Sequence, residues 1–168
     1  MALLKILHYP DSRLHLKAKK IEVIDEALKQ LVSDMAETMY ESDGIGLAAS
    51  QVDVQKRLFI IDLSGEDEPK NLLTFINPEI LSKDGEVVSE EGCLSVPDVY
   101  EKVVRSERIK VKYQDINQVE HIAEFDGLLA VCFQHELDHL NGKVFVEYLS
   151  ILKQNFIQKK LKKIFKPV

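Results

Sequence analysis

One stretch, 126-DGLLAVCFQHELDHLNG-142, decides the fold. Asp126 is a preferred N-cap residue and Asn141–Gly142 is a frequent helix stop, so the pattern predicts a helix between them. Apolar residues lie on almost every side of this helix, and a helix of that kind is buried in a domain core. We therefore expect the other elements of the chain to pack around it.

The segments before this helix predict strands. The runs 57-RLFIIDLS-64 and 72-LLTFINPEI-80 are apolar, rich in β-branched residues and bounded by turn residues. Apolar residues alternate in 108–125 on both sides of a turn near Asp115–Gln118, which predicts a β-hairpin. Strands followed by a buried helix indicate an α+β fold, with antiparallel or mixed β-sheets packed around the central helix that carries HELDH.

Two further helices complete the expected fold. Asp25 is a helix cap and Gly44 a helix stop, so the apolar spacing between them predicts a helix. The segment 149-LSILKQNFIQKKLKKIF-165 predicts an amphipathic C-terminal helix. The chain is therefore interpreted as one domain over 1–168, with a catalytic body over 1–148 and the C-terminal helix over 149–165.

Composition limits the class of protein. The 168 residues are 45% hydrophobic and 30% charged, which is typical of a single globular domain. No apolar run approaches the ~18 residues of a membrane span, and the start shows no signal peptide, so no membrane contact is expected. Two cysteines without a disulfide framework indicate free thiols in a reducing cytoplasm. We expect a monomer and no DNA partner.

The central helix carries a metal-hydrolase pattern. His135 and His139 lie on one helical face, about 6 Å apart along the axis, so both imidazoles can bind one ion. Glu136 lies beside them as a candidate general base. A buried His–Glu–His cluster without a ligand would be costly to desolvate, which favours a metal site over coincidence.

The third ligand is found by elimination. Phe145 occupies the third position of the metzincin pattern and cannot bind a metal, and Glu147 is too near to sit on a separate helix. Cys132 lies about 10 Å from His139 along the axis, beyond the reach of a short thiol. Cys93 is left, and a Cys93–His135–His139 set leaves a fourth position open for water.

Three segments resemble the signature motifs of bacterial peptide deformylases: 44-GIGLAASQV-52, 91-EGCLSVP-97 and 134-QHELDHL-140. The C-terminal helix is similar to the first, Gram-negative-type class of that family. The resemblance implies a hydrolase that removes the formyl group from N-formylmethionine at the start of nascent proteins. It also implies one divalent metal per chain, Fe²⁺ in the cell, which Zn²⁺, Ni²⁺ or Co²⁺ can replace in purified protein.

The resemblance also assigns roles around the metal. Glu136 would take a proton from the attacking water and deliver it to the departing amine. The resemblance places the Gln51 amide and the Leu94 N–H as donors to the developing oxyanion. Tyr100 stands where some members carry an arginine near the bound peptide, so contacts on that side are left open.

Substrate residues are expected on both sides of a cleft. Ile45 and Gly46 would offer a backbone edge to the peptide, matched by Gly92 across the cleft, and main-chain pairing tolerates any sequence. An apolar slot for the methionine side chain is expected on the helical face that precedes His135. Its predicted lining is Leu128, Val131 and Cys132.

The charge of the chain is unevenly distributed. All 28 acidic residues but only 16 of the 22 basic ones lie before residue 150, so that part carries −12. The last 18 residues hold six lysines and no acid, beside one apolar stripe formed by Leu152, Phe156, Ile157, Leu161, Ile164 and Phe165. The tail is either a packed helix whose lysines keep it soluble, or a docking element for ribosomal RNA near the peptide exit.

Two rival functions follow from the same residues. A zinc endopeptidase could use the H-E-x-x-H helix, but it lacks a downstream third ligand. A metal-stabilised binding module without turnover would give Glu136 and Gln51 no reason to flank the ion. Release of formate from a formyl-peptide separates both rivals from a deformylase.

Overall fold

The computed structural model describes residues 2–165, and Met1 and residues 166–168, including one tail lysine, lie outside that range. Three α-helices are present in the described range: α1 (Glu26–Glu41), α2 (Gly127–Leu140) and α3 (Ile151–Ile164). The strands there are β1 (Gly46–Ala48), β2 (Leu58–Ile61), β3 (Leu73–Asp84), β4 (Val87–Cys93), β5 (Val96–Arg105), β6 (Arg108–Gln114) and β7 (Glu120–Asp126).

The strands form two separate sheets. A five-stranded sheet has the order β1-β2-β3-β6-β7, and every neighbouring pair in it is antiparallel. β4 and β5 form an antiparallel two-stranded ribbon of their own. One edge of β1 and one edge of β4 therefore have no strand partner within residues 2–165. The predicted α+β class, with sheets around a central helix, is confirmed.

α2 lies against the five-stranded sheet, as its apolar pattern predicts. The Phe133 ring meets the rings of Phe59 and Phe75 edge to face, with centroids 5.1 and 5.2 Å apart. Such pairs add to the area that a core buries. The prediction of burial on all sides is wrong at the first turn only, where Leu128 is 56% exposed.

Two sequence predictions need correction. α1 is capped by Asp25 as predicted, but it ends at Glu41, and Asp43 rather than Gly44 takes the left-handed conformation, with φ 55°. The strands β1, β4 and β5 had no predicted counterpart. In β4 and β5 the apolar residues are interrupted by polar and charged ones, and β1 has only three residues. None of these strands therefore has the continuous apolar run that marks β2 and β3.

The C-terminal helix is present but its apolar stripe is not a buried face. Ile157 and Leu161 are buried against Leu7, Tyr9 and the segment after α2. Leu152 and Phe156 are 81% and 70% exposed, so the prediction of one packed stripe is wrong for them. Helical spacing identifies an apolar face but does not tell how wide a strip its partner covers. No helix within residues 2–165 combines the length and apolar character needed to cross a bilayer.

Candidate active site

The structure brings the three predicted ligand residues together. The Cys93 Sγ and His139 Nε2 atoms are 3.3 Å apart, and the His139 and His135 Nε2 atoms are also 3.3 Å apart. The three ligand atoms all lie within 4.8 Å of one another. Among residues 2–165 this is the one such group of His, Cys, Asp and Glu side chains, and its donor set suits a divalent transition metal.

Two elements place these atoms. α2 supplies both imidazoles from successive turns of one face. Cys93 is the last residue of β4, where an irregularity in the pairing with β5 falls between Glu91 and Cys93. Cys93 and Glu91 both face α2, as residues two apart on a strand do.

A buried ionic network holds His135. The His135 Nδ1–H donates to Glu91 Oε1 at 2.8 Å, which leaves Nε2 to face the sulfur. Arg105 donates two hydrogen bonds to Glu91, at 2.8 and 2.7 Å, and a third to Asp138 at 2.7 Å. The Tyr148 hydroxyl also donates to Asp138, at 2.7 Å. A carboxylate behind a ligand histidine fixes the tautomer and the ring orientation.

Sequence reasoning missed this network. Glu91 lies within a recognised motif and two residues before Cys93, but nothing local marks Arg105, which comes from the opposite strand of the ribbon. The one available signal was strand alternation, which puts Glu91 and Cys93 on the same side of β4. Assigning β4 and β5 as a hairpin would have placed Arg105 on the same face as Glu91, but opposite Val87 and four residues along the strand.

The pKa shifts describe a site that attracts positive charge. Burial lowers the pKa of His135, yet its hydrogen bonds to Cys93 and Glu91 outweigh burial and hold that pKa well above its usual value. Burial and the charge of His135 hold the pKa of His139 well below its usual value, so this imidazole is neutral. Acidic groups around a neutral imidazole form a setting that a divalent cation fits.

Glu136 is buried beside the ligand group. Its Oε1 lies 3.8 Å from His135 Nε2, and its Oε2 has no hydrogen-bond partner within residues 2–165. Burial raises the pKa of Glu136 to about 7. A Cβ at Gly46 would lie 3.2 Å from the Glu136 carboxyl carbon, so glycine lets β1 approach this carboxylate closely. A free carboxylate oxygen with a pKa near neutrality can accept and return a proton.

The two predicted oxyanion donors also lie at the ligand group. Gln51 is buried, and its Nε2 donates to Cys93 Sγ at 3.4 Å and to Ser95 Oγ at 3.0 Å. Its Oε1 accepts from the Ala48 N–H at 2.9 Å, which fixes the amide orientation. The Leu94 N–H donates to no group within residues 2–165. One donor is thus held beside the sulfur, and the other is free.

A cavity of about 520 Å³ opens onto this group. Its wall includes every residue that the sequence assigned to catalysis or to the substrate, together with Cys93 and His135, whereas His139 lies deeper. Ile45 and Gly46 form one side and Gly92 the other, and Leu128, Val131 and Cys132 line it from α2. Burial raises the pKa of Cys132 to about 12, so its thiol stays protonated. We call this cavity the cleft.

The family model of the polypeptide deformylases matches residues 3–155. A peptide deformylase of Chromobacterium violaceum is 62% identical over 97% of this chain and 96% of that protein. One of Neisseria gonorrhoeae is 58% identical with the same coverage. The chain belongs to the polypeptide deformylase family. The resemblance drawn from the three sequence motifs is therefore confirmed.

Solved deformylase structures share the fold as well as the sequence. A peptide deformylase from Legionella pneumophila superposes with a TM-score of 0.90 at 47% identity, covering 96% of this chain and 95% of that one. One from Ehrlichia chaffeensis, solved in complex with actinonin, gives 0.94 at 42% identity, with 99% and 100% coverage. The deformylase family is metal-dependent, in agreement with the ligand group of this chain.

Proposed function

We propose that this chain is a metal-dependent hydrolase that removes the formyl group from N-formylmethionine at the N-terminus of nascent proteins and releases formate. The observation that carries the proposal is the convergence of Cys93, His135 and His139 beside the buried carboxylate of Glu136. The three ligand residues would hold one divalent cation. When bound, such an ion acts as a Lewis acid and lowers the pKa of water from about 15.7 toward about 7.

Glu136 acts first as the general base and then as the general acid in this reaction. Its free Oε2 accepts a proton from the attacking water, whose oxygen adds to the formyl carbon. The same carboxyl group then protonates the methionine nitrogen as the carbon–nitrogen bond breaks, and formate and a free amine leave. The carboxylate returns to its starting state, so no other proton donor is needed.

The N–H groups of Gln51 and Leu94 stabilise the negative charge that develops on the formyl oxygen. The Leu94 N–H donates to no group within residues 2–165, and Leu94 lines the cleft directly after Cys93, so its N–H would meet a substrate oxygen bound there. The Gln51 amide directs one N–H to the Cys93 sulfur at 3.4 Å, and a substrate oxygen bound beside that sulfur would share this N–H. Loss of one such donor typically costs about 3 kcal/mol of transition-state stabilisation.

The free edges of β1 and β4 support the proposed substrate. An extended peptide lying between Ile45–Gly46 and Gly92 pairs through its main chain, so the enzyme accepts nascent chains of any sequence. Specificity for the first residue comes from the α2 side of the cleft. Its apolar lining by Leu128, Val131 and Cys132 suits an unbranched thioether side chain.

Formate release decides this proposal. Protein loaded with Fe²⁺ or Ni²⁺ is expected to release formate from formyl-Met-Ala-Ser and to leave a blocked internal peptide uncut. Actinonin, the ligand of the Ehrlichia chaffeensis enzyme, should compete with the peptide. Cleavage of the internal peptide would favour a zinc endopeptidase, and metal binding without any turnover would favour a binding module.

For the metal, we propose Fe²⁺ in the cell, with Zn²⁺, Ni²⁺ or Co²⁺ as replacements in purified protein. A thiolate ligand beside Fe²⁺ is open to oxidation, and Cys93 is only partly buried. Activity of the iron form should therefore fade in air faster than that of the nickel or zinc form. Equal lifetimes of the three forms would count against iron.

We propose further that the C-terminal helix docks on ribosomal RNA near the peptide exit. Residues 1–148 form the catalytic body, and the enzyme acts in the cytoplasm. Lys159, Lys162 and Lys163 are exposed on α3, and no ion pair of residues 2–165 involves them. Cationic side chains of this kind bind phosphates and release counterions.

The docking proposal is tested with charge variants, because truncation after Ser150 would also remove the buried contacts of Ile157 and Leu161. Neutralising Lys159, Lys162 and Lys163 to Gln should weaken ribosome co-sedimentation and reduce its salt dependence by about one unit of slope per lysine. Formate release from a short formyl-peptide is the control and should not change. Unchanged co-sedimentation would contradict docking through α3.

A further inference from the structure

We propose that Tyr100 determines substrate specificity: it selects a planar side chain, an aromatic ring or the guanidinium of arginine, at one of the two residues that follow the formylated methionine. This inference rests on the proposed deformylase activity and adds a preference among its substrates. Tyr100 takes no part in the catalytic steps, yet its side chain forms part of the cleft wall.

The Tyr100 ring is open to a ligand. The residue is 68% exposed although it lines the cleft. Within residues 2–165, no other ring stacks on it and no cationic side chain lies over it. A large exposed aromatic face in a concave site is a typical contact surface for a bound molecule.

Gly92 fixes the position of the ring. A Cβ on Gly92 would lie 2.6 Å from Tyr100 Cε1 and 2.8 Å from Cδ1, so the ring occupies the space that any other residue would fill. The ring thus lies against the backbone of β4 one residue before Cys93. It flanks the strand edge on which the proposed substrate backbone pairs.

The reach of an extended peptide limits which residues can touch this ring. Each residue advances about 3.3 Å, so the two residues after the methionine lie within about 7 Å of it along the strand. Consecutive side chains point to opposite faces, so only one of these two can lie against Tyr100. The methionine side chain is directed to the slot on α2.

Planarity is the property that the Tyr100 ring itself can select. Aromatic rings and guanidinium groups stack on an aromatic face, which changes binding by about two- to tenfold. The cleft wall contains five acids and, within the described chain, no lysine or arginine; the acids are Asp43, Glu90, Glu91, Asp98 and Glu136. This acidic wall attracts arginine and lysine alike, so planarity is the property that separates the two members of that pair.

Matched peptide pairs test the proposal. The substrates are formyl-Met-Xaa-Ser and formyl-Met-Ala-Xaa, in which Xaa is phenylalanine or cyclohexylalanine in one pair and arginine or lysine in the other. The members of each pair share size or charge and differ in planarity. At one of the two positions, kcat/KM should favour the planar member by about two- to tenfold, chiefly through KM.

Variants assign this preference to the ring. Tyr100→Phe keeps the ring and should keep the ratio within each pair, whereas Tyr100→Leu should bring the ratio to one. Val104→Ala is the matched control, because Val104 is exposed on the same strand but lies outside the cleft wall, and it should leave the ratio unchanged.

Two results would overturn the inference alone. The first is an equal kcat/KM for planar and non-planar partners at both positions in the unaltered enzyme. The second is a preference that survives in Tyr100→Leu. If no peptide releases formate, the deformylase activity itself is wrong, and the inference falls with it.

Discussion

The helices α2 and α3 have similar lengths and both bury apolar residues, but they depart from the usual burial pattern in opposite ways. α2 encloses the polar side chains of Glu136 and His139 in the interior, while α3 leaves Leu152 and Phe156 in solvent. The buried polar groups of α2 converge on one another and on Cys93. Burying a polar side chain costs much more free energy than exposing an apolar one. The buried polar groups of α2 therefore indicate function more strongly than the exposed apolar groups of α3.

The strongest test of this comparison removes the buried acid of α2. Glu136→Ala should lower kcat for formate release by about 10²- to 10⁴-fold, because the reaction loses its proton acceptor. Metal content, measured by elemental analysis, should stay at one ion per chain. If the variant loses its metal and keeps its activity, Glu136 has been assigned the wrong role.

A second test compares two leucines of α3. Leu161→Ala should lower the free energy of unfolding by about 2–5 kcal/mol, because it leaves a cavity among buried side chains. Leu152→Ala should change it by no more than about 0.5 kcal/mol, because Leu152 is exposed. Urea unfolding measures both. Equal losses would mean that the exposed stripe of α3 is covered in solution.

A third test probes the support of the ligand group on α2. Glu91→Gln keeps the size of the side chain but removes the charge that orients His135 and pairs with Arg105. Metal affinity, measured by competition with a chelator, should fall about 10- to 100-fold. Glu101→Gln, on the opposite strand and half-buried, is the control. An unchanged affinity would show that α2 alone orients the imidazole.

Asp62 extends the comparison to a buried acid away from the ligand group. It accepts hydrogen bonds from Tyr40, Ser64 and Asn71, and although burial opposes its charge, these bonds lower the pKa of Asp62 from 3.8 to about 2. Asp62→Asn should lower the free energy of unfolding by about 1–3 kcal/mol at pH 7.

The stability lost in Asp62→Asn depends on pH because the pKa of Asp62 is lowered in the folded state. A carboxyl group with a lowered folded pKa stabilises the fold above its unfolded pKa of 3.8, and this contribution is lost as the pH falls toward about 2. The gap between the unaltered protein and Asp62→Asn should therefore be constant above pH 5 and shrink below pH ~4. A gap that does not depend on pH would mean that the charge of Asp62 contributes nothing.

The elements that could be predicted are those whose apolar periodicity fits either a helix or a strand but not both. The apolar runs of β2 and β3, the hairpin of β6 and β7 and the helix α2 were all predicted, because their periodicity is continuous. Asp126 precedes α2 as predicted, but its side chain makes no capping hydrogen bond. β4 and β5 were not, since a two-stranded ribbon exposed on one face has no continuous apolar signal. The end of α1 was misplaced by a few residues, because Asp43 adopts the left-handed conformation for which glycine is usually chosen.

The sequence by itself determined the chemistry: two histidines one helical turn apart, a glutamate between them and one cysteine left by elimination. These follow from helix geometry and from the short list of side chains that bind metals. Only the tertiary structure decided what surrounds them, namely the Glu91–Arg105–Asp138 network, the Tyr100 ring on Gly92 and the exposed half of α3. The reason is physical: such contacts join strands and helices that are far apart in the chain, and no local pattern records which surfaces will meet.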